Sequence, residues 1–119
     1  MRTVAELLRW RARRHPDLPA IWFQDRTRTF AELDASSSAL GAGLVNDLGI
    51  QPGDRVAILD KNSDDYLELL FALDKAGAVS VPVNWRLTAS EVGRVGSSCG
   101  LRICVTITIG TIPSLIMVV

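Results

Sequence analysis

The chain has 119 residues, 48% apolar and 22% charged, with a formal net charge of zero. That length suits one domain, and the composition excludes a disordered chain. The charge balance gives no reason to expect nucleic acid as a partner. Cations split into 2 lysines and 11 arginines, a coding bias before it is a sign of chemistry. Cys99 and Cys104 are the only cysteines. Five residues apart, with one distant histidine, they make no metal site, and a reduced, cytoplasmic chain is expected. The N-terminus, MRTVAELLRWRARRHP, lacks the apolar core of a signal peptide. Its arginines and amphipathic pattern would suit a transit peptide, but Glu6 and the continuity with the next element speak against one.

The first predicted element is a helix. Thr3 and Glu6 have capping-box spacing, and Val4, Leu7, Leu8 and Ala12 fall on one helical face. Pro16 ends it, because the residue before a proline is pushed out of the α region. AIWFQ and TRTF then read as a hairpin turning around Asp25 and Arg26. Thr29 and Glu32 repeat the capping pattern. The second helix carries Leu33, Ser37, Leu40, Leu44 and Leu48 on one face, and Gly49 stops it. Gln51-Pro-Gly-Asp54 has the proline and glycine of a type II turn, and RVAIL is a short buried strand.

Asn62 or Ser63 opens the next helix. Tyr66, Leu69, Leu70 and Leu73 line one face, with Leu70 expected to be enclosed by sheet. Leu67 and Phe71 form a second apolar face, which implies packing on two sides. Gly77 closes the helix and AVSVPV returns as a strand. Thr88 and Glu91 give a third capping pattern, a helix is expected to about Gly100, and LRICVTI is a last strand. Alternation of strand and helix from Val56 onward predicts an α/β fold with right-handed parallel crossovers.

Five stretches now stand in order: RHPDLPAIWF, RTFAELDASSSALGAGL, PGDRVAIL, LELLFALDKAGAVSVPVNWRLTASE and CGLRICVT. Together they resemble the N-terminal region of the acyl-CoA synthetases, within the AMP-dependent synthetase and ligase (adenylate-forming) family. The resemblance covers about Thr3 to Thr106. It implies an α/β segment, a short hairpin plus a parallel βαβαβ unit, from the family's large domain. It also implies the family's reaction. ATP and a carboxylate form an acyl adenylate, and coenzyme A takes the acyl group as a thioester. In the family the phosphate loop, the magnesium ligand and a lysine on a mobile C-terminal domain all lie downstream of this region. The expectation is therefore a partial segment over 1–106, inactive alone, with ATP, magnesium and coenzyme A belonging to a complete member. No catalytic, cofactor-binding or metal-binding residue is assigned in this chain. A carboxylic acid substrate is expected only once the missing lobe is present.

Each candidate site has a structural reading. Gly96 to Arg102, GSSCGLR, is the nearest thing to a phosphate loop, but it follows a helix and lacks a Gly-Lys ending. Ser36 to Gly43 lies within a helix, where Ser37 permits close packing. His15 sits at a helix end, where it can face the last carbonyls. Asp64 and Asp65 open a helix, where acids favour the positive end of the dipole. Arg11, Arg13 and Arg14 read as a solvated face, with attraction to a lipid surface as the alternative. Asn84, Trp85 and Arg86 come just after a strand end, where ligands collect in parallel sheets. A loop-packing role that orients the next lobe is expected for them in preference to substrate contact.

Residues 107–119 read as a divergent apolar tail. Ile103 to Val119 carries no charge over 17 residues, at the short limit for a membrane span. Gly110, Pro113 and Arg102 weaken that reading, and a membrane association is not expected. The alternative to a ligase segment is a stand-alone α/β interaction module, tail-associated with a membrane. An incomplete parallel sheet would also leave edges through which the chain could self-associate.

Overall fold

Thr3 starts the chain's first helix as the sequence predicts. In the computed structural model its Oγ1 accepts the Glu6 N–H at 3.1 Å, opening α1 (Val4–Arg14). The structure describes residues 3–59, 63–83, 90, 91, 94, 103–105 and 116–118, with the backbone alone at 59, 83 and the last two stretches. At the other end of α1 the His15 N–H donates to the Arg11 carbonyl at 2.8 Å. The buried stripe is Ala5, Leu8 and Ala12. Leu8 and Ala12 are buried as expected, while Val4 at 61% and Leu7 at 50% exposed are corrected, Ala5 taking their place. Two alanines flanking a leucine let α1 lie close to its neighbours. The Ala5 N–H, one of the four amides a helix leaves unpaired at its start, donates to Asp74 Oδ2 at 2.7 Å from 69 residues away.

The hairpin is β1 (Pro19–Phe23) against β2 (Arg26–Thr29), with Phe23 paired to Arg26. Its turn is Gln24-Asp25, one residue earlier than expected. Gln24 has φ 56°, a left-handed conformation that usually selects glycine. Thr29 then caps α2 (Phe30–Leu48), its Oγ1 accepting the Glu32 N–H. Two more amides at this start find loop carbonyls, Phe30 N–H on Leu18 and Ala31 N–H on Pro16. Gly49, at φ 69°, ends α2 and turns its own N–H and that of Ile50 onto the last carbonyls.

The turn at Gln51–Asp54 is closed by the Asp54 N–H on the Gln51 carbonyl, and Gly53 takes the positive φ, 87°, that the type II pattern asks for. The chain then enters β3 (Arg55–Leu59). α3 (Asp64–Lys75) is capped by Ser63, whose Oγ accepts the Tyr66 N–H at 3.1 Å. Gly77, at φ 76°, lets the chain reverse into β4 (Val79–Val83). β4 runs parallel to β3, Arg55 beside Val79 and Leu59 beside Val83. β5 (Ile103–Val105) is parallel to β3 on its other side. β6 (Ile116–Val118) joins β5 antiparallel, so the sheet order is β4-β3-β5-β6.

β3 is thus central, and Val56, Ala57 and Ile58 have no exposed surface. A continuous apolar run is what a strand buried on both faces requires. The core gathers Leu44 and Ile50 from the α2 end, Val56 and Ile58 from β3, and Leu69, Ala72 and Leu73 from α3. Leu70 is only half-buried at the edge of this cluster, so the expectation that the sheet encloses it is corrected. The helical period explains the correction: Leu69 and Leu73, four apart, face the sheet, and Leu70 is turned one step round the helix. Ser90 and Glu91 are helical, while Thr88 and most of the helix expected there lie outside the described residues. No helix among the described residues is long and apolar enough to cross a membrane.

Candidate functional site

Asp64 and Asp65 stand at the N-terminus of α3, and each meets an arginine of the hairpin. Asp64, 3% exposed, holds Arg26 Nη2 at 2.6 Å. Arg28 reaches Asp65 at 3.8 Å and Glu68 at 3.3 Å, and its Nη2 also donates to Ser36 Oγ. The carboxylates therefore clamp the hairpin onto α3 and sit where the helix dipole favours them. This is the arrangement of a structural joint.

A second polar cluster joins α2 to α3. Lys75 Nζ donates to the Asp34 carboxylate at 2.6 Å, the Asp34 carbonyl at 2.8 Å and Ser38 Oγ at 2.7 Å. An ammonium has three donors, and here all three are used. With its side chain 6% exposed, Lys75 is placed to hold two helices together. Ser37 has no exposed surface, and its Oγ donates to the Asp34 carbonyl. One turn on, a Cβ added at Gly41 would stand 3.0 Å from the Ala72 carbonyl oxygen. The small residues in SSSALGAG thus allow the close approach of α2 and α3, as their pattern suggests.

The remaining feature is an apolar groove of about 360 Å³ between α1, the hairpin and α3. Leu8 and Leu33, both nearly fully buried, belong to its lining. α3 contributes Leu67 and Phe71, the second apolar face read in the sequence. α1 contributes Val4, Leu7, Trp10 and Arg11. Arg11 is the charged member of the lining among the described residues. Its guanidinium carbon stands 5.4 Å from the centroid of the Phe30 ring, within cation–π range. No carboxylate among the described residues forms an ion pair with it. The sequence suggests a solvated Arg11, and this placement is a correction. The missed signal is its spacing: Val4, Leu7 and Arg11 succeed one another at three and four residues, the stripe that meets the second face of α3.

The other candidates are not gathered here. Arg13 is exposed, and Arg14 lies over the Trp10 ring at 5.4 Å. His15 is exposed at the end of α1. Cys104 is in β5 beside Ala57 and Met117. Asn84, Trp85, Arg86, Cys99 and the whole of Gly96 to Arg102 lie outside the described residues. Among the described residues no group of three or more histidines, cysteines or acids could hold a metal ion.

Comparison with known proteins gives a consistent result. The family described as "AMP-binding enzyme" matches residues 8–117. The chain is 40% identical over 103 residues to the fatty acid–[acyl-carrier-protein] ligase ScoC of Streptomyces coeruleorubidus, covering 87% of this chain and 20% of that protein. It is 40% identical over 95 residues to a feruloyl-CoA synthase of Amycolatopsis, covering 80% of this chain and 19% of that protein. Among solved structures, the N-terminal subdomain of Klebsiella oxytoca NpsA in complex with 3-hydroxybenzoyl-AMSN superposes with a TM-score of 0.84. There the identity is 34%, over 92% of this chain and 28% of that one. The chain therefore spans about a fifth of the length of the curated relatives it matches.

Proposed function

Because this chain belongs to the AMP-binding enzyme family, we propose that it forms the N-terminal part of an ATP-dependent, adenylate-forming ligase. The complete enzyme joins a carboxylate to AMP with loss of pyrophosphate, and coenzyme A then takes the acyl group as a thioester. The observation that carries this reading is the family match over residues 8–117 together with the parallel crossover sheet that those residues build. Relatives named for fatty acids and for ferulate support a carboxylic acid as the substrate class. The need for ATP supports a cytoplasmic enzyme, in a compartment where thiols such as Cys99 and Cys104 stay reduced.

The chain's own part is structural. The carboxylates of α3 are engaged by Arg26, Arg28 and the Ala5 N–H, which supports a reading in which ATP and magnesium are held by the portion present in the longer relatives. On its own the chain forms no acyl adenylate. A group that stabilises charge in the transition state is worth several kcal/mol, and this reading places those groups together in that other portion. Among the described residues β4 is a free sheet edge. The Val79 N–H donates to the Asp54 carbonyl, so by alternation Pro82 faces outward, where a proline offers no donor. The self-association expected of an unpaired edge would therefore lack one donor at Pro82.

The test is carboxylate-dependent ATP–pyrophosphate exchange on the purified chain, with decanoate and ferulate as substrates. No exchange above the protein-free control is expected. Clear exchange that survives repurification would overturn the claim that the catalytic groups lie elsewhere.

A further inference from the structure

We propose that α1 docks on an anionic phospholipid surface, lying in the plane of the bilayer with Val4, Leu7 and Trp10 turned into the lipid. Ala5, Leu8 and Ala12 are the stripe by which α1 is buried against the rest of the fold. The helical period puts Leu7, Trp10 and Arg14 on the far side of that stripe. Val4, Leu7 and Trp10 are all exposed, so three large apolar side chains of this 11-residue helix meet solvent. Arg9, Arg13 and Arg14 are exposed around them. The first 20 residues hold five of the chain's 13 cations and two of its 13 acids, so a net charge of zero divides into +3 there and −3 over the remainder. That asymmetry selects an anionic partner for α1.

The pattern of the exposed face selects lipid over a second protein, because its apolar side chains are interleaved with arginines. Arg14 stacks over the Trp10 ring at 5.4 Å, and half-buried Arg11 falls between Val4 and Leu7 around the helix. A protein partner would have to offer an acid beside each arginine while covering the apolar residues. A phospholipid surface meets both needs, since arginine stems run along the apolar layer while their guanidinium groups reach the phosphates. Tryptophan favours the same depth. Each basic side chain close to an anionic leaflet strengthens binding about fivefold. Two acids oppose this: Glu6, on the exposed arc between Arg13 and Trp10, and Asp17, just beyond the helix. With 11 residues α1 is only ~16 Å long, so the docking is shallow, reversible and sensitive to salt. It needs no spanning segment, and no described helix could be one. The ligase reading is not a premise of this docking, so the two are tested apart.

The experiment is co-sedimentation of the full 119-residue chain with vesicles of phosphatidylcholine alone and of an equal mixture of phosphatidylcholine and phosphatidylserine. Binding to the mixed vesicles is expected to be at least about tenfold tighter, and to fall as salt is raised. Arg13→Gln should weaken it about fivefold and leave binding to the neutral vesicles unchanged. Arg94→Gln removes the same charge from an exposed residue outside α1 and should leave both unchanged. Trp10→Gln should weaken binding to both kinds of vesicle at least about tenfold, with the exchange protection of Leu69 and Leu73 kept. Equal binding to neutral and mixed vesicles, equal losses for Arg13→Gln and Arg94→Gln, a Trp10 variant that binds like the parent, or no sedimentation with either vesicle would overturn the proposal. Association that instead tracks the protein's own concentration without vesicles, and that Trp10→Gln removes, would overturn it in favour of a second copy against α1.

Discussion

Leu73→Ala should destabilise the chain by about 3–5 kcal/mol, and Leu70→Ala by no more than about half of that. Leu73 has no exposed surface and packs with Val56, Ile58, Leu69 and Ala72. Truncation loses the transfer free energy of the removed carbons, about 2 kcal/mol, and adds the cost of a cavity. That cavity cannot close easily, because β3 is held by β4 on one side and β5 on the other. The upper half of the range for buried leucines therefore applies. Leu70 is half-buried, so its loss opens a notch that water can fill. A chain of this length has a total stability of roughly 6–18 kcal/mol if it obeys the general rule per residue, so the Leu73 variant removes a sizeable share. Urea unfolding of the parent and both variants, with equal slopes, reads the difference directly. Amide exchange in β3 provides a second readout. A Leu70 variant as damaged as the Leu73 variant would refute the assignment of Leu69 and Leu73 as the sheet-facing pair.

Other substitutions probe other joints. Gly41→Ala should cost about 1–3 kcal/mol despite alanine's better helix propensity, because its Cβ would press on the Ala72 carbonyl at 3.0 Å. Gly43→Ala meets only the end of the Asp47 side chain and should gain about 0.5–1 kcal/mol. Thermal melts of the two side by side check the contrast. Gln24→Gly should stabilise by up to about 1 kcal/mol, since a left-handed residue with a Cβ carries a cost of roughly 1–2 kcal/mol that glycine avoids. An unchanged or lower urea midpoint would count against that turn. Lys75→Met should cost about 2–4 kcal/mol, below the upper limit for a broken buried pair because Asp34 is 23% exposed. The companion Asp34→Asn variant tests the pair by a double-mutant cycle.

What the sequence discloses here is mostly local. Thr3 and Thr29 cap the helices that their spacing announces, and Ser63 takes the cap that the sequence leaves open between it and Asn62, because a cap depends on residues within one turn. Gly49, Gly53 and Gly77 each take the positive φ that stops or turns the chain. The parallel crossover is legible in the order of elements, and the family resemblance agrees with it. The misreadings concern what helices face. On α1 the sequence offers apolar residues on more than one side, and only the position of α2 and α3 selects Ala5, Leu8 and Ala12 for burial. On α3 a one-step rotation separates buried Leu69 and Leu73 from half-buried Leu70. Arg11 is the clearest case. In an arginine-rich helix only its spacing from Val4 and Leu7 separates it from Arg9 or Arg13. It is distinguished by Phe30, whose ring is brought beneath it when the hairpin folds back and α2 begins.

The most direct test of the ligase reading is to complete the chain. The corresponding N-terminal fifth of the Streptomyces coeruleorubidus relative would be replaced by this chain, and decanoate-dependent ATP–pyrophosphate exchange measured beside the chain alone and the relative's remainder alone. Exchange by the chimera, with none by either part, is the expected result. A folded, monodisperse chimera that exchanges no pyrophosphate, while the intact relative does, would contradict the placement of this chain as the N-terminal part of an adenylate-forming ligase.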